Sequence, residues 1–256
     1  MDFRVSGLGF LVGLLVGLTG MGGGAVMTPA LILLGLSRPV IAVGTDLVWG
    51  TLTKATGSLI HWRQKTVDLK IVFRLALGSV PGALLGLAVL FHFHRSNSST
   101  MDKFVVRMLG IALIVVASSL FLRSLRKRRI QTTSEQVDPK RLARLTVLIG
   151  AVVGFLVSLT SVGSGSLIIA CLVVLYPATP LRRIVGSDIV HALLLLGVSA
   201  VGHLGIGSVD VPLLGALLIG SIPGVWFGSK LSATVPEKLL QPILATTLFL
   251  LGYKLL

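Results

Sequence analysis

The stretch VGLTGMGGGAVM, residues 16–27, is answered 141 positions later by VSLTSVGSGSLI, residues 157–168. The pairing extends outward from there. Gly44, Thr45, Asp46, Leu47 and Val48 match Gly186, Ser187, Asp188, Ile189 and Val190 at an offset of 142. His61 matches His203, and Val67 and Asp68 match Val209 and Asp210. Gly78, Ser79, Val80, Pro81 and Gly82 match Gly220, Ser221, Ile222, Pro223 and Gly224, and Gly86 matches Gly228. So many matches at a nearly constant offset mark an internal duplication, and such a period governs how the rest of the chain is read.

The chain around these motifs is apolar. Of 256 residues, 54% are hydrophobic and only 12% are charged, about half the charged share of a soluble domain. The mean hydropathy is +0.95. These values exclude an ordinary soluble domain and a disordered chain. A membrane-spanning helix needs roughly 20 mostly apolar residues. Eight stretches qualify or nearly do: 7–35, 45–62, 71–93, 104–122, 142–176, 184–204, 211–231 and 239–256. The expected fold is all-α, a polytopic integral membrane protein of two homologous repeats. Each repeat has about four hydrophobic segments, the first broken at a Gly-rich motif. The repeats cover residues 1–122 and 142–256, joined by a basic cytoplasmic linker, 123–141.

The net charge of +14 would suggest a nucleic-acid partner in a soluble protein. Here its placement gives another reason. Residues 123–144 hold Arg123, Arg126, Lys127, Arg128, Arg129, Lys140, Arg141 and Arg144 against Glu135 and Asp138. That is the pattern of a cytoplasmic loop under the positive-inside rule, with binding of anionic lipid headgroups as a secondary reading. No nucleic-acid partner is expected. Arg4 and the apolar run after it resemble a signal peptide. No small-x-small cleavage site follows, and the segment recurs in the second half, so it reads as part of the fold. The one cysteine, Cys171, allows no intramolecular disulfide and no Cys-based metal site.

Four full spans per half would make the repeats parallel. A first segment that enters and returns leaves three true spans per half and inverts them. With the 123–144 loop inside and Lys54 left out, inversion places sixteen basic residues inside and six outside; the parallel arrangement gives fourteen and eight. The positive-inside rule therefore leans towards inverted repeats. Duplicated halves are a hallmark of secondary transporters, whose substrate site lies between the repeats near the bilayer midplane.

The candidate site residues follow from the breaks. Gly20, Met21, Gly22, Gly23 and Gly24 interrupt the first segment, and a glycine costs roughly 1 kcal/mol in a helix interior. The second copy is Ser161, Val162, Gly163, Ser164, Gly165 and Ser166. Thr19 and Thr160 pair each break with a hydroxyl. A broken helix presents backbone N–H groups at the start of its second half, and with the helix dipole they favour an anion. The bland alternative is close packing with a kink. Asp46 and Asp188, each after a hydroxyl (Thr45, Ser187), are carboxylates at membrane depth, where insertion costs about 2.5–3.5 kcal/mol. They read either as coupling groups or as N-caps at the interface. His191, one helical turn after Asp188, shares its face and suits a proton carrier. Lys54 either adds positive field for an anion or snorkels. His61 and His203 read as interfacial caps, and His92 and His94 as solvated. Gly9, Gly13, Gly17 and Gly150, Gly154, Ser158, with Gly78, Gly82, Gly86 and Gly220, Gly224, Gly228, are ladders for close helix approach. Pro81 and Pro223 within them should kink their helices.

The run GMGGGA fits a dinucleotide fingerprint only loosely, with no βαβ unit around it. The chain holds no P-loop, no Ser/His/Asp arrangement and no convincing metal constellation, so neither an ATP-driven pump nor an enzyme is expected, and no cofactor or metal.

In combination, the duplicated glycine-rich break, the GTD and GSD segments, the Val-Asp pairs and the GS[VI]PG ladders resemble the TauE/SafE sulfite exporter family over nearly the whole chain. The second break, SVGSGS, departs from the GGG-type run more usual there. The resemblance implies a bacterial inner-membrane secondary transporter that exports a small anion, such as sulfite or an organosulfonate, with proton coupling as one option. The alternatives are a passive anion channel and a transporter of another small anion. Thr19, Gly20, Gly22, Gly23, Gly24, Thr45, Lys54, Thr160, Ser161, Gly163, Ser164, Gly165 and Ser187 are the expected substrate contacts. Asp46, Asp188 and His191 are the expected coupling groups. The small anion and the lipid bilayer are the expected partners.

Overall fold

The computed structural model describes residues 3–19, 23–96, 98–125, 138–231 and 237–256, and these are helical apart from short connections, with no strand among them. Ten helices follow in order: α1 Phe3–Thr19, α2 Gly24–Leu33, α3 Pro39–Arg63, α4 Leu69–Ser96, α5 Ser98–Leu125, α6 Pro139–Thr160, α7 Ser166–Leu175, α8 Leu181–Gly205, α9 Val211–Leu231 and α10 Glu237–Leu255. Five segments, in α4, α5, α6, α8 and α9, are long and apolar enough to cross a membrane. The chain is therefore a multi-pass membrane protein. The 25-residue α3 has the length as well, but Asp46, Lys54, His61 and Arg63 dilute its hydropathy.

Local chemistry sets the helix ends. Pro39 and Pro139 stand in the first turn of α3 and α6, where the missing N–H is no loss. Asp138 caps α6 by accepting from Lys140 N at 3.1 Å. Asp68 and Asp210, the acids of the two Val-Asp pairs, cap α4 and α9, accepting from Lys70 N at 3.0 Å and from Leu213 N at 2.9 Å. Both turns before these caps have a left-handed residue, Lys65 (φ 54) and Gly207 (φ 71). α4 and α9 continue through Pro81 and Pro223.

The glycine ladders fix helix pairing and direction. Cβ atoms on Gly9, Gly13 and Gly17 would meet the backbone at Leu217, Ser221 and Val225, so α1 and α9 run parallel. Gly78, Gly82 and Gly86 stand likewise against Val147, Ala151 and Phe155, so α4 and α6 run parallel. α3 crosses α8 antiparallel, with Gly50 against Leu196 and Gly57 against Ile189. Thr45 meets Asp210 and Trp49 meets Ser221, so α3 runs with α9 and hence with α1. The chain between α1 and α3 must therefore return, and α2 does so. At ten residues α2 spans about 15 Å, half the hydrocarbon thickness. α7 plays the same part between α6 and α8. The ends bearing Arg63, Lys65, Lys70, Arg182, Arg183 and Lys230 fall on one side of the bundle, where Arg182 donates to Gln64 Oε1 at 2.9 Å and Lys230 lies over the Trp226 ring at 3.6 Å. On the other side Arg38 pairs with Asp102 at 2.8 Å. Residues 126–137 of the basic linker lie outside the described residues.

Two buried hydroxyls tie the halves together at matching places. Thr45 Oγ1 accepts from Asp210 N at 3.0 Å, and Ser187 Oγ accepts from Asp68 N at 2.8 Å while donating to Arg183 O at 2.7 Å. Removing either hydroxyl leaves a partly buried N–H without its acceptor. Thr45→Val and Ser187→Ala should each lower stability by about 1–3 kcal/mol, read as an earlier thermal unfolding midpoint of the detergent-solubilised protein.

Candidate functional site

Buried polar side chains gather along the α3–α8 seam at two levels. With Gly57 against Ile189 and Gly50 against Leu196, Asp46 faces the turn near Ala200. That is about twelve residues from Asp188, or roughly 18 Å along the seam. Neither aspartate starts its helix, since α3 begins at Pro39 and α8 at Leu181. The N-cap reading is therefore excluded for both.

At the first level Asp46, 1% exposed, accepts a hydrogen bond from Thr28 Oγ1 of α2 at 2.7 Å. The Ser161 side chain stands beside the same carboxylate. The two broken segments meet here. A Cβ on Gly24, the first residue of α2, would collide with the Ser161 backbone and hydroxyl, and one on Gly23 with the Trp49 ring. Only glycine lets these backbones come so close. α6 ends with Ser161 in the left-handed region at φ 62, and Gly163 follows at φ 108. Neither Gly23 before α2 nor Gly165 before α7 has a side chain to cap the first turn, so these first-turn N–H groups, at a half-buried and a buried helix start, are left to partners other than a cap.

At the second level Asp188 is fully buried and neither of its oxygens has a hydrogen-bond partner. The residues aligned with Thr28 by the two offsets, Ile169 and Ala170, are apolar. Lys54, 9% exposed, crosses from α3 opposite Ala192, one residue from the level of His191 and roughly 6 Å along the seam from that of Asp188. His191 Nε2 is hydrogen-bonded with Ser79 Oγ of α4 at 2.7 Å, while Nδ1 has no partner. Asp188 and His191 share a face without bonding each other. Trp49 occupies the position equivalent to His191, and its Nε1 donates to Ser221 Oγ at 2.8 Å. The duplication thus makes one contact between the halves twice, once as Trp49–Ser221 and once as His191–Ser79.

The other expected site residues separate. Thr19 and Thr160 donate back to Leu15 O and Leu156 O, both at 2.7 Å, and Thr160 Oγ1 also accepts from Val162 N at 3.2 Å. Thr45 and Ser187 are held by the caps described above, away from the breaks. Gly163, Ser164 and Gly165 are buried at the second break. Gly20 and Gly22 lie outside the described residues. His61 and His203 bond the hydroxyls of Thr66 and Ser208 at 2.8 Å each, and His203 Nε2 is also bonded with Ser158 O at 2.9 Å. Among the described residues no group of three His, Cys, Asp or Glu side chains is placed to hold a metal.

Comparison with known proteins decides the family. The model of the sulfite exporter TauE/SafE family matches residues 5–255. The chain belongs to that family. The chain is 44% identical, over all of its own length and all of the other's, to the probable membrane transporter protein YjnA of Bacillus subtilis (strain 168). It is 28% identical to YunE of the same organism over 97% of this chain and 95% of that one, and 26% identical to YdhB over 96% and 97%; both are also named probable membrane transporter proteins. No solved structure matches the chain. As a TauE/SafE member it is a membrane transporter.

Sequence reasoning missed four partners in this TauE/SafE chain: Thr28, Trp49, Ser79 and Ser221. The two serines were visible as hydroxyls kept in both ladders, inside apolar segments where a hydroxyl needs a bond. Thr28 and Trp49 have no like counterpart in the other half, so the duplication does not point to them.

Proposed function

We propose that this protein is a secondary transporter that exports a small anion, sulfite or an organosulfonate, across the bacterial inner membrane. The observation that carries this reading is a lysine buried in the membrane seam roughly 6 Å, by helix register, from the level of an unpartnered carboxylate, with the meeting of the two breaks at Gly24 and Ser161 roughly 12 Å further along it. Such a place attracts an oxyanion and gives it both charge and directional donors. The breaks around Gly23 and Gly24 and around Ser161 to Gly165 supply the donors, Lys54 the charge, and Asp46, Asp188 and His191 the coupling groups. The opposed directions of α1 and α6, α3 and α8, and α4 and α9 support inverted repeats that move against one another. The cluster of basic helix ends on one side supports placing that side in the cytoplasm.

The test is a flux panel in proteoliposomes with sulfite, methanesulfonate, taurine, sulfate and acetate. Saturable flux and counterflow of a sulfur oxyanion are expected. No flux of any panel anion would sink the reading, and unsaturable flux without counterflow would make the protein a channel. Asp46→Asn and Asp188→Asn should each slow transport; normal rates in both would remove the coupling role.

A further inference from the structure

The two aspartates are not equivalent in their surroundings. Asp46 has its own neutral partners, with Thr28 bonded to it and Ser161 beside it, and it stands about eight residues, roughly 12 Å, from the level of Lys54. Asp188 has no hydrogen-bond partner, and among the described lysines and arginines the buried one is Lys54, whose level on the α3–α8 seam lies roughly 6 Å from that of Asp188. The other charged or titratable groups packed around α8 are engaged or apart. On α3 His61 bonds Thr66, on α4 Arg74 donates to Tyr176 Oη at 3.3 Å, the Asp68 carboxylate caps α4, and His191 bonds Ser79. Cys171 on α7 is a half-buried thiol.

From this arrangement we infer that Lys54 is a shared counter-charge, taken in turn by Asp188 and by the transported anion, so that each monovalent anion moves with one proton. This rests on the transporter reading above and narrows it. In the empty protein, the ammonium of Lys54 balances the carboxylate of Asp188. When a monoanion takes Lys54, the carboxylate would be left as an unbalanced charge in a low-dielectric seam, which is strongly disfavoured. Asp188 therefore takes up one proton from the same aqueous side, forming an O–H bond, and releases it with the anion on the other side. The cluster is neutral in both states and no bond to the anion is made or broken. Of the coupling groups proposed above, this narrows the proton carrier to Asp188, and Asp46, bonded by Thr28, is left to hold α2 in place. Outward movement is then driven by the anion's own gradient, and the cycle carries no net charge.

The experiment uses the full chain in proteoliposomes with an internal pH dye. The probe is methanesulfonate, whose single negative charge is fixed, or otherwise the fastest-moving monoanion of the panel. The wild-type protein should move one proton per anion at a rate that an imposed potassium-diffusion potential does not change. Asp188→Asn should keep anion-for-anion exchange while net flux falls at least about tenfold, because the empty protein then carries an unbalanced lysine. Asp46→Asn should slow transport and leave the ratio at one. Lys54→Met should lose exchange as well as net flux. If that variant does not assemble, the charge-neutral pair Lys54→Met with Asp188→Asn should assemble and still not exchange, while Lys54→Arg retains exchange. Flux that carries charge, or a ratio of one that survives in Asp188→Asn, overturns the proposal and leaves the transporter reading standing. No flux of any anion removes both.

Discussion

Membranes expressing Gly78→Leu should contain little or no folded protein. Gly78 packs α4 on α6, and a Cβ there would collide with the Val147 carbonyl and the Ala151 backbone nitrogen. The neighbours are main chain, so no rotamer change relieves the clash and one helix must move away from the other. Gly150 and Gly154 face back from α6 onto Leu75 and Ser79, so separating the helices opens the whole ladder. It also pulls Ser79 from His191. In a bilayer there is little hydrophobic drive to push helices together, and close van der Waals packing is what such ladders contribute. Overpacking at a site this tight should cost at least about 3 kcal/mol. Gly220→Leu, the equivalent change in α9 against Ser6, should behave the same way. Gly215→Ala, in α9 but with nothing near its Cβ, should be neutral or stabilising by about 1 kcal/mol through helix propensity. Fluorescence-detected size exclusion of the solubilised variants measures all three. A monodisperse Gly78→Leu peak with a wild-type unfolding midpoint would show that the ladder does not hold the helices together.

How far this fold could be read from the chain depends on what kind of information each feature needs. Length and hydropathy are local sums, so α4, α5, α6, α8 and α9 are visible at once. The duplication is also legible, because it repeats identities such as Gly44, Asp46 and Pro81 at a fixed offset. The break in each first segment follows from glycine's low helix propensity, and Gly23 and Gly165 do stand immediately before α2 and α7. What a chain written in one dimension does not carry is register between helices. Asp46, Lys54, Asp188 and His191 read as one set of unusual charges in apolar segments. Only the antiparallel crossing of α3 and α8 separates them into two levels, Asp46 at one and Lys54, Asp188 and His191 at the other. Thr45 and Ser187 were legible as buried hydroxyls, but not as the acceptors for Asp210 N and Asp68 N, since those bonds join residues more than a hundred positions apart. The same limit hid Trp49 and Ser221, which meet across 172 positions.

Gly24→Val should assemble normally and transport at least about tenfold more slowly than the wild-type protein. Gly24 opens α2 where α2 touches the end of α6, and a side chain there runs into the Ser161 carbonyl and hydroxyl. The ladders that join α1 to α9 and α4 to α6 lie on other faces, so assembly does not depend on this contact. Transport does, if the two breaks are where the halves slide past the anion. A β-branched side chain forced against main chain costs about 1–3 kcal/mol. Placed on the conformation that must pass, that converts to a rate loss of roughly ten- to a hundredfold. Gly24→Ala, with a single methyl, should fall between. The collision also pushes α2 and Thr28 away from Asp46, so Thr28→Val, which removes only the hydrogen bond, separates the two contributions. A Thr28→Val rate near wild type beside a slow Gly24→Val assigns the loss to crowding at the meeting of the breaks. Initial rates of anion counterflow in proteoliposomes, normalised to reconstituted protein, read both. Wild-type counterflow in Gly24→Val would place the path of the anion away from the α2 start, and would leave Lys54 and Asp188 to define it without the glycine breaks.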